Sequence, residues 1–201
     1  MTMTEAAPGR TVLGTRLLRK EDPALLTGEA KFTNDLPVPG ALHLAVLRSP
    51  YANATINSVD VSAAAAAPGV VAAYSGADLQ GLWAGPMPCA WPVTADMKNP
   101  AHYPLAISKA AYAGDGVACV LATSVAAAQD ALELITVDYT AHEVVLDLED
   151  ALSDRVVIHA ELGTNKSYTW DLKIEETDGA VDAAFAAAAH TVKQRYIQQR
   201  L

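Results

Sequence analysis

The chain has 201 residues, a formal net charge of -9 and a hydrophobic content of 51%. This length suits one large domain or two small ones, and the hydrophobic content is that of a globular rather than a disordered chain. The acidic balance argues against nucleic acid or an anionic lipid surface as a partner, and no run approaches the roughly 18 apolar residues of a membrane span. Because residues 1–10 lack signal-peptide features, we expect a cytoplasmic chain.

The first predicted element is a flexible tail at residues 1–13. Residues 23–28 then predict a turn or short helix, and residues 30–33 predict a strand that ends at Pro37 and Pro39.

The stretch Leu42–Gly76 contains the densest set of predicted elements. In chain order they are a strand at 42–47, a turn at Arg48–Tyr51, a strand at 55–61, an alanine helix at 63–67 capped by Ser62, and a strand at 70–74. No catalytic group stands out in this stretch, so it predicts an architecture rather than a chemistry.

Residues 79–103 are rich in proline and glycine and include Trp83 and Trp91, which predicts a long surface loop. A clearer unit follows in Gly116–Tyr139: a strand at 117–122, a helix capped by Ser124, and a strand at 136–139. The predicted helix has one apolar face, which is formed by Val125, Ala128, Leu132 and Ile135. This order resembles a βαβ unit, with a right-handed crossover if the strands are parallel.

The remaining third of the chain has a different character. It predicts a helix at 148–153, a strand fragment at 156–158, an extended linker at 162–172, a helix at 180–189 and a strand-like run at 191–201. Because that last run is polar on both faces, we expect it to be a strand of something larger.

Templates for nucleotide binding fail on this chain. Gly9–Arg16 has phosphate-loop glycine spacing but carries Thr15–Arg16 where Lys–Ser/Thr is needed. Gly114–Gly116 precedes a strand instead of opening a helix, so we predict a turn there.

Thiol and metal chemistry find no support either. Cys89 and Cys119 are too few for a disulfide framework or a four-thiolate cluster, and Cys119 is predicted to be a small buried hydrophobe. The histidines lack metal-site spacing to one another; they are His43, His102, His142, His159 and His190. Single acids at element ends predict capping or turn roles; they are Asp22, Asp35, Asp60 and Asp138. The run Glu175–Asp178 predicts a solvated helix start.

Six motifs together resemble a known family. In order they are Leu25–Gly28, Asp35–Pro37, Leu42–Ala52 with its Arg-Ser-Pro-Tyr turn, Ile56–Val61, Pro68–Val70 and Val117–Tyr139. Their order and spacing resemble the N-terminal α/β-hammerhead domain of molybdenum hydroxylase large subunits, the family of xanthine dehydrogenase, aldehyde oxidase and aerobic carbon monoxide dehydrogenase. Two positions depart from the family pattern: Asn53 stands where histidine is usual, and Gly114–Val117 stands where Gly-Glu-Pro-Val is usual.

The resemblance implies an α/β (α+β) fold: a hammerhead domain at 14–150 with a mixed sheet and a βαβ unit, a linker at 151–177, and the truncated start of a molybdopterin-binding domain at 178–201. It also implies a molybdenum-pterin centre in the complete subunit, with [2Fe-2S] clusters and FAD on partner subunits or domains and a dimeric assembly. In that family the catalytic and pterin-binding residues follow the hammerhead domain. No catalytic, cofactor-binding or metal-binding residue is therefore expected in this chain.

Three functions remain open on the sequence. The leading one is a structural, non-catalytic N-terminal part of a molybdenum hydroxylase large subunit. In it, Trp83 and Trp91 serve either subunit contacts or ordinary packing of their loop. The second is a free-standing α/β module that binds a protein without redox chemistry. The third, an independent small-molecule enzyme, has the least support.

Overall fold

The computed structural model describes residue 14 and residues 16–88, 93–170 and 179–198. The chain divides into two compact units, Met1–Leu42 and His43–Leu201. Within the first unit, helix α1 spans Asp22–Leu26, and a 3-10 turn spans Thr33–Asp35 where a strand was predicted. The Asp35 carboxylate accepts the Phe32 amide at 2.9 Å and closes this turn. Local side-chain bonding therefore replaces the predicted ladder.

The second unit is built on two three-stranded antiparallel sheets. Its strands are β1 His43–Arg48, β2 Ala54–Asp60, β3 Val70–Ser75, β4 Lys109–Ala110, β5 Gly116–Ala122 and β6 Thr136–Ala141. One sheet has the order β1-β5-β3, and the other has the order β4-β2-β6. Consecutive strands therefore alternate between the sheets.

The α/β class is confirmed, whereas the expected mixed sheet is wrong. Every pairing between the described strands is antiparallel. Strands β5 and β6, which flank the helix after Ser124, lie in different sheets, so they form no parallel βαβ unit. Strands β1 and β2 likewise do not pair with each other, because the Arg48–Tyr51 turn carries the chain from one sheet to the other.

The core lies between the β1-β5-β3 sheet and helix α4, Val125–Leu132. Ser124 caps this helix as predicted, accepting the Ala127 amide at 3.1 Å. The buried helix face agrees with the prediction at Ala128 and differs from it at Val125: Ala128 and Ala131 are each 1% exposed, whereas Val125 is 59% exposed. Small alanine side chains let the helix approach the sheet closely, and that approach selects them for the buried face.

Three short helices complete the element order. They are α2 Ser62–Ala65, α3 Gly76–Leu79 and α5 Leu148–Leu152. The predicted cap of α2 is wrong, because Ser62 is its first residue and Asp60 accepts the Ser62 amide at 2.9 Å. Helix α3 was not predicted; its cap Ser75 accepts the Asp78 amide at 3.2 Å.

The last described segment holds helix α6, Ala180–Ala187, followed by extended chain to residue 198. All residues of α6 are exposed, including Val181 and Phe185. Residues 191–198 lie in no strand pairing within the described part of the chain. None of the described helices is long and apolar enough to span a bilayer.

Candidate functional site

Two motif-bearing turns meet at one end of the β1-β5 ladder. The Ser49 amide donates to the Asp115 carbonyl at 2.7 Å, and the Gly114 amide donates back to the Ser49 carbonyl at 2.8 Å. The Arg48 guanidinium donates to the Gly114 carbonyl at 2.8 Å. The Arg48–Tyr51 turn and the Gly114–Gly116 turn are thereby locked together, at the position where a bulge between Leu47 and Arg48 ends the regular ladder.

The glycine turn has the role that the sequence predicts, and its amides are already bonded. Gly114 donates to Ser49, and the Asp115 amide donates to the Tyr112 carbonyl at 3.2 Å. Residue 116 opens a strand, so there is no helix N-terminus here. The turn therefore does not fit a pyrophosphate or pterin phosphate.

Asp115 and three tyrosines surround the locked turns. Asp115 is 5% exposed, and its carboxylate accepts the Ala111 amide at 3.1 Å. Burial raises the pKa of Tyr112, and the negative charge of Asp115 raises it further. Tyr51 packs against Tyr139 with ring centroids 5.1 Å apart, and burial raises the pKa of Tyr139. These groups support the turns, and the raised pKa values keep the phenols of Tyr112 and Tyr139 protonated at neutral pH.

Asn53 ties this end of the sheets to the end of β6. Its side-chain amide donates to the Glu143 carbonyl at 2.6 Å, and its backbone carbonyl accepts the His142 amide at 2.8 Å. The His142 imidazole lies 2.7 Å from the Thr55 hydroxyl. Asn53 is 4% exposed, and its side-chain oxygen is buried without a partner among the described residues. This residue is one of the two departures from the family pattern.

The other residues singled out in the sequence do not converge. Cys119 is buried as predicted, and burial raises the pKa of its thiol, which disfavours the nucleophilic thiolate. His159 lies 3.3 Å from Glu161, whereas His43 and His190 are exposed. No three histidine, cysteine or acidic side chains come together as metal ligands within the described ranges.

Some of the acids have the capping or turn roles that the sequence predicts, and the long loop contains a stacked tryptophan. Asp35 and Asp60 bond backbone amides at element starts, and Asp138 accepts from Asn57 at 3.1 Å. Trp83 stacks on Tyr103 with ring centroids 5.3 Å apart, so it serves loop packing. Other predicted features lie outside the described residues: the tail at 1–13 with Gly9, Cys89, Trp91 and Glu175–Asp178.

A row of cavities lies between residues 96–111 and residues 145–169. One, of about 290 Å³, is lined by His102, Lys109, Asp115, His159 and Glu161 among others. Several of its polar side chains have partners: His159 lies beside Glu161, Lys109 donates to the Ile158 carbonyl, and Asp115 accepts the Ala111 amide. These contacts join the two segments that line the cavity.

The buried apolar residues are mostly small, whereas many large apolar side chains are exposed. Of the fifteen buried apolar residues in the described part, nine are alanine. Many large ones are exposed, including Leu44 at 62%, Val71 at 57% and Leu146 at 86%. Leu44, Leu121 and Ala72 form one row on the sheet face opposite α4, because these residues are register partners. Exposed apolar surface on this scale is typical of a part that further protein covers.

The two antiparallel sheets and the bonded turns between their strands give the architecture of this domain. Residues 27–143 match the family described as "Aldehyde oxidase and xanthine dehydrogenase, a/b hammerhead domain". Since the match covers more than half of the 201 residues, the chain belongs to this family, and the family resemblance of the sequence is confirmed.

Relatives and a solved structure agree with this assignment. The chain is 37% identical over 188 residues to the nicotine 6-hydroxylase large subunit of Paenarthrobacter nicotinovorans, covering 93% of this chain and 22% of the relative. It is 34% identical over 190 residues to the 6-hydroxypseudooxynicotine dehydrogenase complex subunit gamma of the same organism, covering 94% of this chain and 23% of the relative. A crystal structure of a Cu,Mo-CO dehydrogenase aligns with a TM-score of 0.67 and 28% identity, over 88% of this chain and 23% of that one. The chain therefore spans less than a quarter of the length of each of these two curated relatives.

Proposed function

We propose that this chain is the N-terminal structural part of the large subunit of a molybdenum hydroxylase, on which the cofactor-bearing remainder of the subunit is built. One observation carries the proposal most directly: nearly all of this chain aligns with less than a quarter of two large-subunit or complex-subunit relatives. The exposed apolar residues support it, because a domain that buries alanines and exposes leucines gains stability when more protein covers it.

The molybdenum-pterin group is assigned to that remainder. The bonded amides of the glycine turn and the engaged groups of the cavity wall do not fit it, so no chemical step is assigned to residues of this chain. The [2Fe-2S] clusters and FAD are proposed to reside on partner subunits or domains of a dimeric assembly in the cytoplasm. Residues 178–201 are proposed to begin the molybdopterin-binding domain.

The test is complementation of a truncated relative. A nicotine 6-hydroxylase large subunit lacking its matching N-terminal quarter would be co-expressed with this chain and its iron-sulfur and flavin partners. We expect a stable complex that contains molybdenum, and loss of soluble complex when this chain is omitted. Failure to associate would contradict the proposal, because a structural part must bind the remainder.

The isolated chain gives the complementary measurement. Metal analysis and visible absorbance should show no stoichiometric molybdenum, flavin or iron-sulfur centre. Molybdopterin bound to the isolated chain would contradict the assignment of that cofactor to the remainder of the subunit.

A further inference from the structure

Residues 151–168, here called the strap, leave helix α5 and contain one 3-10 turn, Ala160–Leu162. The strap was predicted to be a strand fragment and part of an extended linker. The predicted fragment at 156–158 forms no strand in the structure. Residues 156–159 are nevertheless half-buried, as are Thr164 and Asn165. A segment with so little regular structure needs other partners for its backbone groups.

Asn165 supplies three of those partners. Its side-chain amide donates to the Ala151 carbonyl at 3.0 Å and to the Val156 carbonyl at 2.7 Å. Its side-chain oxygen accepts the Ile158 amide at 2.9 Å. One side chain thereby bonds three backbone groups across the strap, and only an amide can both donate and accept in this way.

Asp154 supports the same hub. Its carboxylate accepts the Asn165 amide at 2.7 Å and the Thr164 hydroxyl at 2.7 Å. The backbone of Asp154 has φ = 56°, a left-handed conformation that non-glycine residues rarely adopt. The two bonds to the carboxylate help to hold this turn.

Two lysines fasten the strap to the rest of the unit. The Lys109 ammonium donates to the Ile158 carbonyl, and Lys109 lies in strand β4, which pairs with β2. The Lys98 ammonium donates to the Leu162 carbonyl at 3.2 Å. The Lys98 backbone amide also donates to the Ser167 carbonyl at 2.9 Å, and the Ser167 hydroxyl donates to the Lys98 carbonyl at 2.7 Å.

We infer that residues 151–168 are an integral part of the hammerhead unit, closed by Asn165 and fastened by Lys98 and Lys109, and that this strap fixes where the chain leaves the unit. The folded unit thus extends beyond the family match, which ends at residue 143. This inference replaces the expected linker at 151–177 over most of its length. It rests on bonds within this chain and does not depend on the proposed function.

Hydrogen exchange of the full 201-residue chain tests the strap. In the unsubstituted chain we expect the amides of Ile158 and Asn165 to exchange at least about tenfold more slowly than those of residues 191–198. Equal exchange in the two segments would overturn the inference.

Asn165→Ala provides the sharper comparison. We expect exchange at residues 156–167 to become at least about tenfold faster, whereas Asn99→Ala should leave it unchanged, because Asn99 is an exposed neighbour. Unchanged strap exchange in Asn165→Ala would overturn the inference. Loss of protection in strand β5 as well would also support the inference. The Asn165 side chain bonds only groups of the strap, so an effect on the sheet would mean that the sheet and the strap unfold together.

The lysines are tested separately from the hub. Lys98→Ala combined with Lys109→Ala should accelerate exchange in the strap while β5 keeps its protection. Lys166→Ala is the control, since its ammonium donates to no strap carbonyl among the described residues. An effect of Lys166→Ala equal to that of the double variant would show that general charge, rather than fastening, is responsible.

Discussion

The body formed by the β1-β5-β3 sheet and α4 is stabilised differently from the strap at 151–168. In the body, Val120 and Ala118 are fully buried, and Ala128 and Ala131 seal the helix against the sheet. In the strap, backbone groups bond the side chains of Asn165, Asp154 and two lysines. The stability of the body therefore depends on how closely its side chains pack, and the stability of the strap depends on hydrogen bonds from particular side chains.

The alanine-rich core makes the body sensitive to added volume. Each alanine buries little apolar area, so the stabilisation comes from close approach of backbone and side chains. Gly76 illustrates how little space remains, because a Cβ atom there would lie 2.8 Å from the carbonyl carbon of Ala106. Polar substitutions on the surface should matter much less.

The largest predicted effect is overpacking at Ala128. Ala128→Leu would insert three heavy atoms where the side chain is 1% exposed, and we expect a loss of about 1–3 kcal/mol in the free energy of unfolding. Urea denaturation followed by circular dichroism measures this loss. Val125→Leu on the same helix is the control and should change stability by about 0.5 kcal/mol or less, because Val125 is 59% exposed. Equal effects of the two substitutions would contradict close packing of this helix face.

A smaller effect is expected at Asn53, a buried polar residue next to β2 in the other sheet, whose side-chain oxygen has no partner among the described residues. Asn53→Ala removes the donor to the Glu143 carbonyl and should cost about 1–2 kcal/mol, reduced by relief of the unpartnered side-chain oxygen. Asn57→Ala is the matched control, since Asn57 is exposed and bonds only the surface groups of Asp138 and Thr140. A loss in Asn57→Ala as large as in Asn53→Ala would show that burial of Asn53 is not what matters.

The two regions also differ in how far the sequence predicts them. Strands β1, β2, β3, β5 and β6 and the Ser124 cap were predicted within a few residues, because alternating apolar residues and cap chemistry are local signals. The assignment of β1 and β2 to different sheets was not predicted, since pairing depends on distant partners such as β5 and β6. The buried face of α4 was also partly mispredicted, because the sheet selects alanines over the larger Val125.

The strap was missed for a different physical reason. Its bonds join residues 98 and 109 to residues 158–167, and no periodicity marks a side chain that bonds distant backbone groups. At the candidate site, the sequence predicted the glycine turn and the buried Cys119. It did not predict that Arg48 and Ser49 bond Gly114 and Asp115, which are far away in the chain.

The smallest predicted effect is a dependence of the strap on pH through Asp154. The backbone bond from Asn165, followed by the bond from Thr164, lowers the pKa of Asp154 below its ordinary value of 3.8. Since the folded pKa is the lower one, this stabilisation is complete above the ordinary value and is lost as the pH falls through the folded pKa. Nuclear magnetic resonance of the strap amides between about pH 5 and pH 2 should follow the loss.

The Asp154→Asn variant tests whether this pH dependence comes from the carboxyl group of Asp154. An asparagine side chain does not titrate, and its single oxygen cannot reproduce both bonds of the carboxylate, so the strap should be looser at pH 6 and its signals should no longer follow this titration. Asp130→Asn, at an exposed position on α4, should leave the strap signals and their pH dependence unchanged. If the strap signals of Asp154→Asn still titrate as before, another acid controls the strap, and Asp154 does not distinguish it from the body.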